Sequence, residues 1–191
     1  EVVSFSGDLE LANPTDPKKL IYRGKVDFSQ STTLEQIQNA TSFGSFSVSW
    51  NQETDRTFSF VSEAIERPSE TKRYNFVISG KVIDLSESIE KSVLIVPLQK
   101  LQLSNIDKDE QGKYPKAMLK FSDQLDENQD LGGFVTVEPA VEFTSQKLGK
   151  YLMLDGEFRF GTEYLVTVKS GIKSRWGTKM DETVTEKIKF S

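Results

Sequence analysis

The residues of this chain that could bind a metal ion lie in one short segment, 107–112, which reads Asp-Lys-Asp-Glu-Gln-Gly. Asp107, Asp109 and Gln111 place oxygen ligands at its first, third and fifth positions, with glycine at the sixth, as in the first half of an EF-hand calcium loop. The twelfth position, where such a loop needs a bidentate glutamate, is Met118. We therefore expect a solvated turn between two strands and no bound metal, with these three residues as the only candidate ligands.

The most acidic stretch of the chain is the segment 123–130, which reads Asp-Gln-Leu-Asp-Glu-Asn-Gln-Asp. Carboxylates this close could act as an acid–base pair, but glycosidases hold their two carboxylates across a cleft. A single acidic loop does not provide that arrangement. We interpret the segment as a solvated turn with a short helix rather than as a catalytic site.

The two tryptophans are candidates for ligand binding, because an exposed aromatic ring offers a ligand a large apolar surface. Trp50 ends an alternating stretch in which Phe46 and Val48 share its face, so we expect it in the core. Trp176 lies in a turn sequence, between Arg175 and Gly177, where its ring could be exposed. Trp176 is therefore the one candidate ligand-binding residue.

Cysteine and histidine are both absent from the chain. Without cysteine there is no disulfide, no thiolate metal site and no thiol nucleophile. Without histidine there is no imidazole base, so a Ser-His-Asp triad cannot form. Glycine-rich phosphate-binding loops of the Gly-x-Gly-x-x-Gly or Gly-x-x-x-x-Gly-Lys-Ser/Thr type are also missing. We expect neither enzymatic activity nor a cofactor.

The formal net charge is −5, and the basic residues form no cluster longer than pairs such as Lys18-Lys19. Nucleic acids and anionic membrane surfaces attract clusters of lysine and arginine, so neither is an expected partner. No apolar run approaches the roughly 20 residues that cross a bilayer, and the first residues lack the pattern of a signal peptide. We expect that an N-terminal leader or anchor has been removed and that it was the only membrane attachment.

Strand signals dominate the sequence. Short stretches alternate apolar and polar residues and are separated by Gly, Pro, Asn or Asp, which is typical of antiparallel sheets. Tyr164, Val166 and Val168, for example, would share one face of a strand. Helical signals are confined to residues 34–37 and 126–131, each long enough for a turn or two at most. The sequence predicts an all-β protein.

Three short blocks occur twice, in the same order and displaced by roughly ninety residues. The blocks that begin at Val26, Phe46 and Arg73 return as blocks that begin at Leu119, Phe134 and Glu163. A repeat of this kind indicates two copies of one β-rich domain in tandem.

We place the boundary between the copies at Pro97, because proline cannot continue a central strand. The first domain then covers residues 1–96 and the second covers residues 97–191. About seven short strands in each copy, without crossover helices, predict two tandem immunoglobulin-like Greek-key β-sandwiches. Tyr74 and Tyr164 would open matching strands, where such sandwiches have a tyrosine corner. Tyr164 is expected to bury its ring and bond a nearby backbone carbonyl.

The second copy carries a recognisable set of motifs. They are Phe121-Ser122, the strand end Val137-Glu138-Pro139, the strand opening Gly161-Thr162-Glu163-Tyr164, and the turn Gly171-Ile172-Lys173-Ser174 followed by Trp176-Gly177. With these motifs the chain resembles the immunoglobulin-like domains at the N-terminal end of bacterial alpha-2-macroglobulin family proteins. The first copy keeps Phe28-Ser29, Arg67-Pro68 and Tyr74 but loses most of the closing turn.

The resemblance implies a non-catalytic N-terminal scaffold of a protease-trapping protein, secreted to the bacterial cell envelope and lipid-anchored in the full-length molecule. Its partners would be the other domains of that protein and, through the whole molecule, captured proteases. The reactive thioester of the family needs cysteine, which is absent here, so no functional residue carries over. The alternative is a glycan-binding or adhesion module of an envelope lipoprotein, with Trp176 as the contact residue.

Overall fold

The structure, a computed structural model, describes all residues from Glu1 to Ser191. Strands are the main secondary structure of the chain and every sheet is antiparallel, so the all-β prediction is confirmed. The chain divides into two compact units, Glu1–Leu98 and Gln99–Ser191. The boundary placed at Pro97 from the sequence lies just before this division. No helix has the length and apolar character needed to span a membrane.

Unit 1 contains two sheets, one short α-helix and a 3₁₀ turn. Its strands are β1 (Val2–Asn13), β2 (Asp16–Phe28), β3 (Thr41–Phe43), β4 (Val48–Gln52), β5 (Thr57–Ser62), β6 (Ile65–Glu66), β7 (Lys72–Ile78) and β8 (Ile89–Ile95), its helix is α1 (Leu34–Ala40), and the 3₁₀ turn is Gly80–Val82. One sheet has the order β1-β2-β5-β4, with β6 also paired to β2. The other has the order β3-β7-β8.

The helix α1 forms where the sequence predicts helical turns, and it begins with a capping box. Thr33 Oγ1 accepts the backbone N–H of Gln36 at 3.2 Å, and Gln36 Oε1 accepts that of Thr33 at 3.0 Å. Two N–H groups that the first turn leaves without helical partners are thus satisfied. Ile37 and Ala40 are buried, so this short helix is held by the core of unit 1.

The second segment predicted to be helical, residues 126–131, forms turns instead. Asp126 Oδ1 accepts the backbone N–H of Asn128 at 2.9 Å, and Asp130 Oδ1 accepts that of Gly132 at 2.9 Å. Aspartate side chains that bond the backbone two residues ahead favour turns over helix, which explains why the helical prediction is wrong.

Unit 2 also contains two sheets. Its strands are β9 (Leu103–Asp109), β10 (Lys116–Phe121), β11 (Val135–Glu138), β12 (Phe143–Leu148), β13 (Tyr151–Gly156), β14 (Glu163–Val168) and β15 (Val184–Lys189). One sheet has the order β12-β13-β10-β9, and the other has the order β11-β14-β15.

Apart from the short β6, the two units order their strands in the same way. In each unit the first, second, fourth and fifth long strands form one sheet, and the third strand joins the last two in the other. Phe28 and Phe121 end the second strands, β2 and β10, and Tyr74 and Tyr164 lie near the start of β7 and β14. The first and third sequence blocks therefore match strands in equivalent positions.

The second block match is wrong. The block at Phe46 leads into β4, a strand of the five-stranded sheet of unit 1, whereas the block at Phe134 leads into β11, a strand of the three-stranded sheet of unit 2. The topological counterpart of β11 is β3, which has only three residues. Alternating apolar residues look alike in any half-buried strand, so the alternation did not distinguish the two sheets.

The core of unit 1 lies between its two sheets and is rich in aromatic rings. Phe60 on β5 stacks on Phe76 on β7, with ring centroids 4.6 Å apart. Tyr22 on β2 lies 5.2 Å from Phe43 on β3. Because each pair joins a residue of one sheet to a residue of the other, the unit is a two-layered, β-sandwich-like fold.

Two glycines make room for these rings. Gly7 and Gly24 are paired across β1 and β2. A Cβ on Gly7 would lie 2.3 Å from Tyr22 Oη, and a Cβ on Gly24 would lie 2.0 Å from the Ser6 carbonyl oxygen and 2.6 Å from the Phe60 ring. The pair of glycines thus lets β1 approach β2 closely over the aromatic core.

The core of unit 2 is also drawn from both of its sheets. Leu119 and Leu154 come from the four-stranded sheet, and Val137 and Val166 come from the three-stranded sheet. A group of rings formed by Phe158, Tyr164 and Phe190 belongs to the same buried cluster. Unit 2 is therefore also a two-layered, β-sandwich-like fold.

Residues 96–102 connect the last strand of unit 1 to β9. β9, the first strand of unit 2, begins at Leu103 and runs to Asp109. Arg67 fixes the start of this connection, since its guanidinium donates to the Val96 carbonyl at 3.0 Å and to the Pro97 carbonyl at 3.3 Å. The main chain near Pro97 is thus satisfied by an arginine side chain rather than by a strand ladder.

Candidate functional site

The first half of the segment that imitates a calcium loop, Asp107 to Asp109, lies in a strand. Asp107 and Asp109 belong to β9, where they pair with Met118 and Lys116 of β10. Asp109 Oδ1 accepts the backbone N–H of Gln111 at 3.1 Å, so this carboxylate closes a turn. The structure contains no group of three or more acidic, histidine or cysteine side chains that could hold a metal ion.

Trp176 is half-buried in the turn that precedes β15. Its indole Nε1 donates to Asp123 Oδ1 at 3.3 Å, and its backbone N–H donates to Ser174 Oγ at 3.2 Å. The Arg175 guanidinium lies over the ring, 5.0 Å from its centroid. The edge of the indole and one of its faces therefore already have partners within the chain.

The acidic segment and the turn containing Trp176 are bonded to each other along their length. The backbone N–H of Arg175 donates to the Gln124 carbonyl at 2.7 Å, and that of Asp126 donates to the Lys173 carbonyl at 3.0 Å. Gln129 Oε1 accepts the backbone N–H of Lys173 at 2.7 Å. These bonds hold two loops together that are far apart in sequence. The sequence treats them as separate solvated turns and gives no sign of this pairing.

Asp123 is the one carboxylate of the acidic segment that is buried, with 7% of its surface exposed. Its Oδ1 accepts bonds from Trp176 Nε1 and from the backbone N–H of Gln124, the latter at 3.1 Å. A buried carboxylate is stable only when donors surround it. Asp123 therefore joins the two loops.

Lys147 on β12 holds the same acidic segment from the side. Its ammonium donates to the carbonyl oxygens of Asp126 at 2.7 Å and Glu127 at 3.0 Å, and it also contacts that of Gln129. Carbonyl oxygens that converge on an ammonium group form charge-assisted hydrogen bonds. Lys147 thus fixes the shape of the turn through its backbone.

Tyr164 is buried at the start of β14, with 3% of its surface exposed. Its hydroxyl oxygen accepts the backbone N–H of Arg159 at 3.0 Å, whereas the sequence predicts a bond to a carbonyl. Its ring packs edge-on against Phe158, with centroids 5.3 Å apart. Tyr74, the matching residue of unit 1, is only half-buried and packs against Phe46 with centroids 4.9 Å apart.

Unit 1 has a groove of about 440 Å³ between β1 and β8, lined by Glu1, Val2, Phe5 and residues 86–91. We call it the β1–β8 groove. Val2, Phe5 and Ile89 supply its apolar side chains, and Phe5 stacks on the core ring of Phe60 at 5.9 Å. Lys91 Nζ lies 5.7 Å from the centroid of the Phe5 ring.

Unit 2 has an opening in the equivalent place, a groove of about 200 Å³ between β9 and β15, which we call the β9–β15 groove. Two bonds join the far ends of these strands. Lys108 Nζ donates to the Lys189 carbonyl at 2.8 Å, and Glu110 Oε1 accepts the backbone N–H of Ser191 at 2.7 Å. The latter bond lowers the pKa of the Glu110 carboxyl.

Sequence reasoning missed the β1–β8 groove. Its residues come from the first strand and from the segment before and within β8, which are separated by most of unit 1. Only the order of strands in the two sheets brings them side by side. Val2 and Phe5 are three residues apart, and a register shift between Val2 and Ser4 interrupts the alternation, so the period-two pattern does not indicate this pair.

Comparison of the chain with known protein families, with curated proteins and with solved structures gives no significant match.

Proposed function

We propose that the chain is a non-catalytic scaffold made of two tandem immunoglobulin-like domains. The observation that carries this proposal is the strand order. Apart from the short β6 of unit 1, the first, second, fourth and fifth strands of each unit form one sheet, which packs against a three-stranded sheet of the third strand and the last two. Constant-type immunoglobulin domains distribute their seven strands between two sheets in this way.

The position of Tyr164 supports the same proposal for unit 2. A tyrosine corner has a buried tyrosine near the start of the sixth strand whose hydroxyl bonds the backbone a few residues upstream. Tyr164 is the second residue of β14, the sixth strand of unit 2, and bonds Arg159. In unit 1 the half-buried Tyr74 lies near the start of the matching strand β7.

For the parent molecule we propose an envelope alpha-2-macroglobulin-like protein that traps proteases, with this chain in its N-terminal scaffold and a lipid anchor in the full-length form. The motifs of the second copy support it, because each lies at a structurally defined position. Gly161, Gly171 and Gly177 all have positive φ, of 76°, 98° and 86°, which explains why these motifs need glycine. The partners would be other domains of that protein and the proteases that the whole molecule captures.

A structural role also suits the polar residues that first suggested chemistry. Asp109, Asp126 and Asp130 bond backbone N–H groups of their own turns, and Asp123 bonds Trp176. Such bonds fix loop shape. These carboxylates therefore serve to form the turns in which they lie.

The test compares this chain with its full-length protein. A trapped protease still cleaves a small chromogenic peptide but loses activity on a large protein substrate, so the ratio of the two rates reports capture. We expect the full-length protein to lower the large-substrate rate and the isolated chain to leave both rates unchanged. Cleavage or inhibition by the isolated chain would contradict the scaffold proposal.

The alternative proposal is a glycan-binding or adhesion module centred on Trp176. The half-exposed ring beside Arg175 supports it. In this case Trp176→Ala should abolish binding on a glycan array while leaving the stability of unit 1 unchanged. Absence of any glycan binding by the unaltered chain would dismiss the alternative.

A further inference from the structure

We propose that the β1–β8 groove of unit 1 binds an extended, basic peptide segment of a partner protein, which lies alongside β8 as an added strand. This inference goes beyond the scaffold function. A scaffold that binds no peptide would still have the same two units, and a peptide-binding domain need not belong to a protease trap.

The first argument is that both walls of the groove are sheet edges. β1 is the terminal strand of one sheet of unit 1, and β8 is the terminal strand of the other. Each therefore presents backbone N–H and C=O groups that no neighbouring strand pairs. An exposed strand edge is a template on which an extended chain can form main-chain hydrogen bonds.

The second argument is that the groove has an apolar floor continuous with the core. Phe5 lies 5.9 Å from Phe60 and 5.8 Å from Phe76 between ring centroids. Val2 and the buried Ile89 flank it. Alternate side chains of an added strand point to one face, so apolar residues at every second position could cover this floor.

The third argument is the charge of the rim, which selects the occupant. Glu87 and Glu90 line the groove against a single lysine, Lys91, whose ammonium lies over the Phe5 ring. Glu1 adds one more carboxylate together with the N-terminal ammonium, which donates to Ser29 Oγ at 2.7 Å. Glu87 and Glu90 are exposed and take part in no ion pair. The residues of an added strand that alternate with the apolar ones would meet these carboxylates, which favours lysine or arginine there.

The fourth argument is the contrast with the equivalent opening of unit 2. The β9–β15 groove is closed at one end by the bonds of Lys108 and Glu110 across the two strands. In the β1–β8 groove no hydrogen bond or ion pair joins the two walls, and Lys91 of one wall lies over the Phe5 ring of the other. The two strands that line this groove are thus bridged by hydrogen bonds in unit 2 and are not bridged in unit 1.

The probe is a fluorescein-labelled peptide of four Lys-Val repeats, titrated with the whole chain and followed by fluorescence anisotropy. The test variant is Glu87→Lys/Glu90→Lys. The matched control is Glu66→Lys/Glu70→Lys, which makes the same charge change at two exposed positions of unit 1 outside the groove. We expect saturable binding that weakens about tenfold or more in the test variant and by less than about twofold in the control, since separated surface charges are screened by salt.

Two further probes separate strand addition from charge attraction alone. A Lys-Val peptide methylated on alternate backbone nitrogens keeps its charge but loses the donors that pair with β8, so we expect its binding to be lost. Amide hydrogen exchange should show peptide-induced protection at Ser88 to Lys91.

Several results would overturn the proposal. They are absence of saturable binding at millimolar peptide, equal weakening in both double variants, undiminished binding of the methylated peptide, and protection confined to other strands. Self-association of the chain through β8 in sedimentation runs without peptide would also overturn it, since the edge would then serve a second copy. None of these results bears on protease capture, so this proposal and the scaffold proposal fail independently.

Discussion

Removing the hydroxyl of Tyr164 tests the proposed tyrosine corner, in which this hydroxyl bonds the backbone of the loop before β14. In Tyr164→Phe the backbone N–H of Arg159 loses its acceptor, now 3.0 Å from the Tyr164 oxygen. Losing one hydrogen bond and leaving its partly buried partner unsatisfied costs about 1 to 2 kcal/mol of the free energy of unfolding. Tyr164→Ala also empties a site packed against Phe158 and Phe190, and such aromatic truncations cost about 3 to 5 kcal/mol.

The chain provides its own assay, because each unit contains one tryptophan. In a Trp50→Phe background the fluorescence of Trp176 reports the unfolding of unit 2 alone during a denaturant titration. Tyr74→Phe, read from Trp50 in a Trp176→Phe background, is the matched control. Tyr74 is half-buried, so we expect its loss of a hydroxyl to change stability by less than about 0.5 kcal/mol.

The reasoning about the corner would be refuted if Tyr164→Ala left the stability of unit 2 within about 0.5 kcal/mol of the parent value, the range of ordinary surface substitutions. A surface tyrosine that contacts a ligand would give that result. A cost for Tyr164→Phe equal to that for Tyr164→Ala would also refute it, since the ring would then contribute nothing.

The remaining predictions concern the core glycine, the lysine of the acidic turn, a buried tyrosine and calcium. Gly24→Ala should destabilise unit 1 by about 1 to 3 kcal/mol in chemical unfolding, because its Cβ would overlap the backbone of β1, and a neutral result would contradict the packing. Lys147→Met should cost about 1 to 2 kcal/mol in unit 2, because the partly buried carbonyl of Asp126 loses a charged donor, and an unchanged midpoint would contradict this. Burial raises the pKa of the Tyr22 hydroxyl to about 12. The stability that the neutral hydroxyl contributes is therefore complete below the ordinary tyrosine pKa of about 10 and is lost as the pH rises towards 12. An ultraviolet titration in which every tyrosine ionises near pH 10 would contradict this prediction. Millimolar calcium should leave the melting temperature unchanged, because Asp107 lies in a strand, and a rise of several degrees that a chelator reverses would contradict this.

Local patterns predicted the parts of the fold that depend on local chemistry. The alternation of Tyr164, Val166 and Val168 correctly places all three in the core, because period-two burial is a property of one strand. Trp50 is buried for the same reason. The helical turns at 34–37 form because Thr33 supplies their cap.

The features that the sequence did not predict depend on contacts between distant segments. Phe46 and Phe134 lead into strands of different sheets, although both blocks alternate in the same way. β9 continues to Asp109 because it pairs with β10, a partner that overrides the turn-forming character of Asp107 and Asp109.

The same distinction between local patterns and contacts between distant segments applies to the candidate sites. Trp176 lies in a turn with its ring half-exposed, and its role as a ligand-binding residue stays a prediction. Its bond to Asp123 joins loops that the sequence gives no reason to connect. The β1–β8 groove depends on the order of strands in two sheets. No local signal around Phe5 or Glu87 specifies that order.

The central claim, that each unit is an independent immunoglobulin-like sandwich, is tested most directly by nuclear magnetic resonance of residues 99–191 expressed alone. The account predicts a dispersed spectrum with cross-strand Hα contacts that place β14 between β11 and β15, and β10 between β9 and β13. A disordered fragment, or contacts that pair β10 with β14, would contradict it.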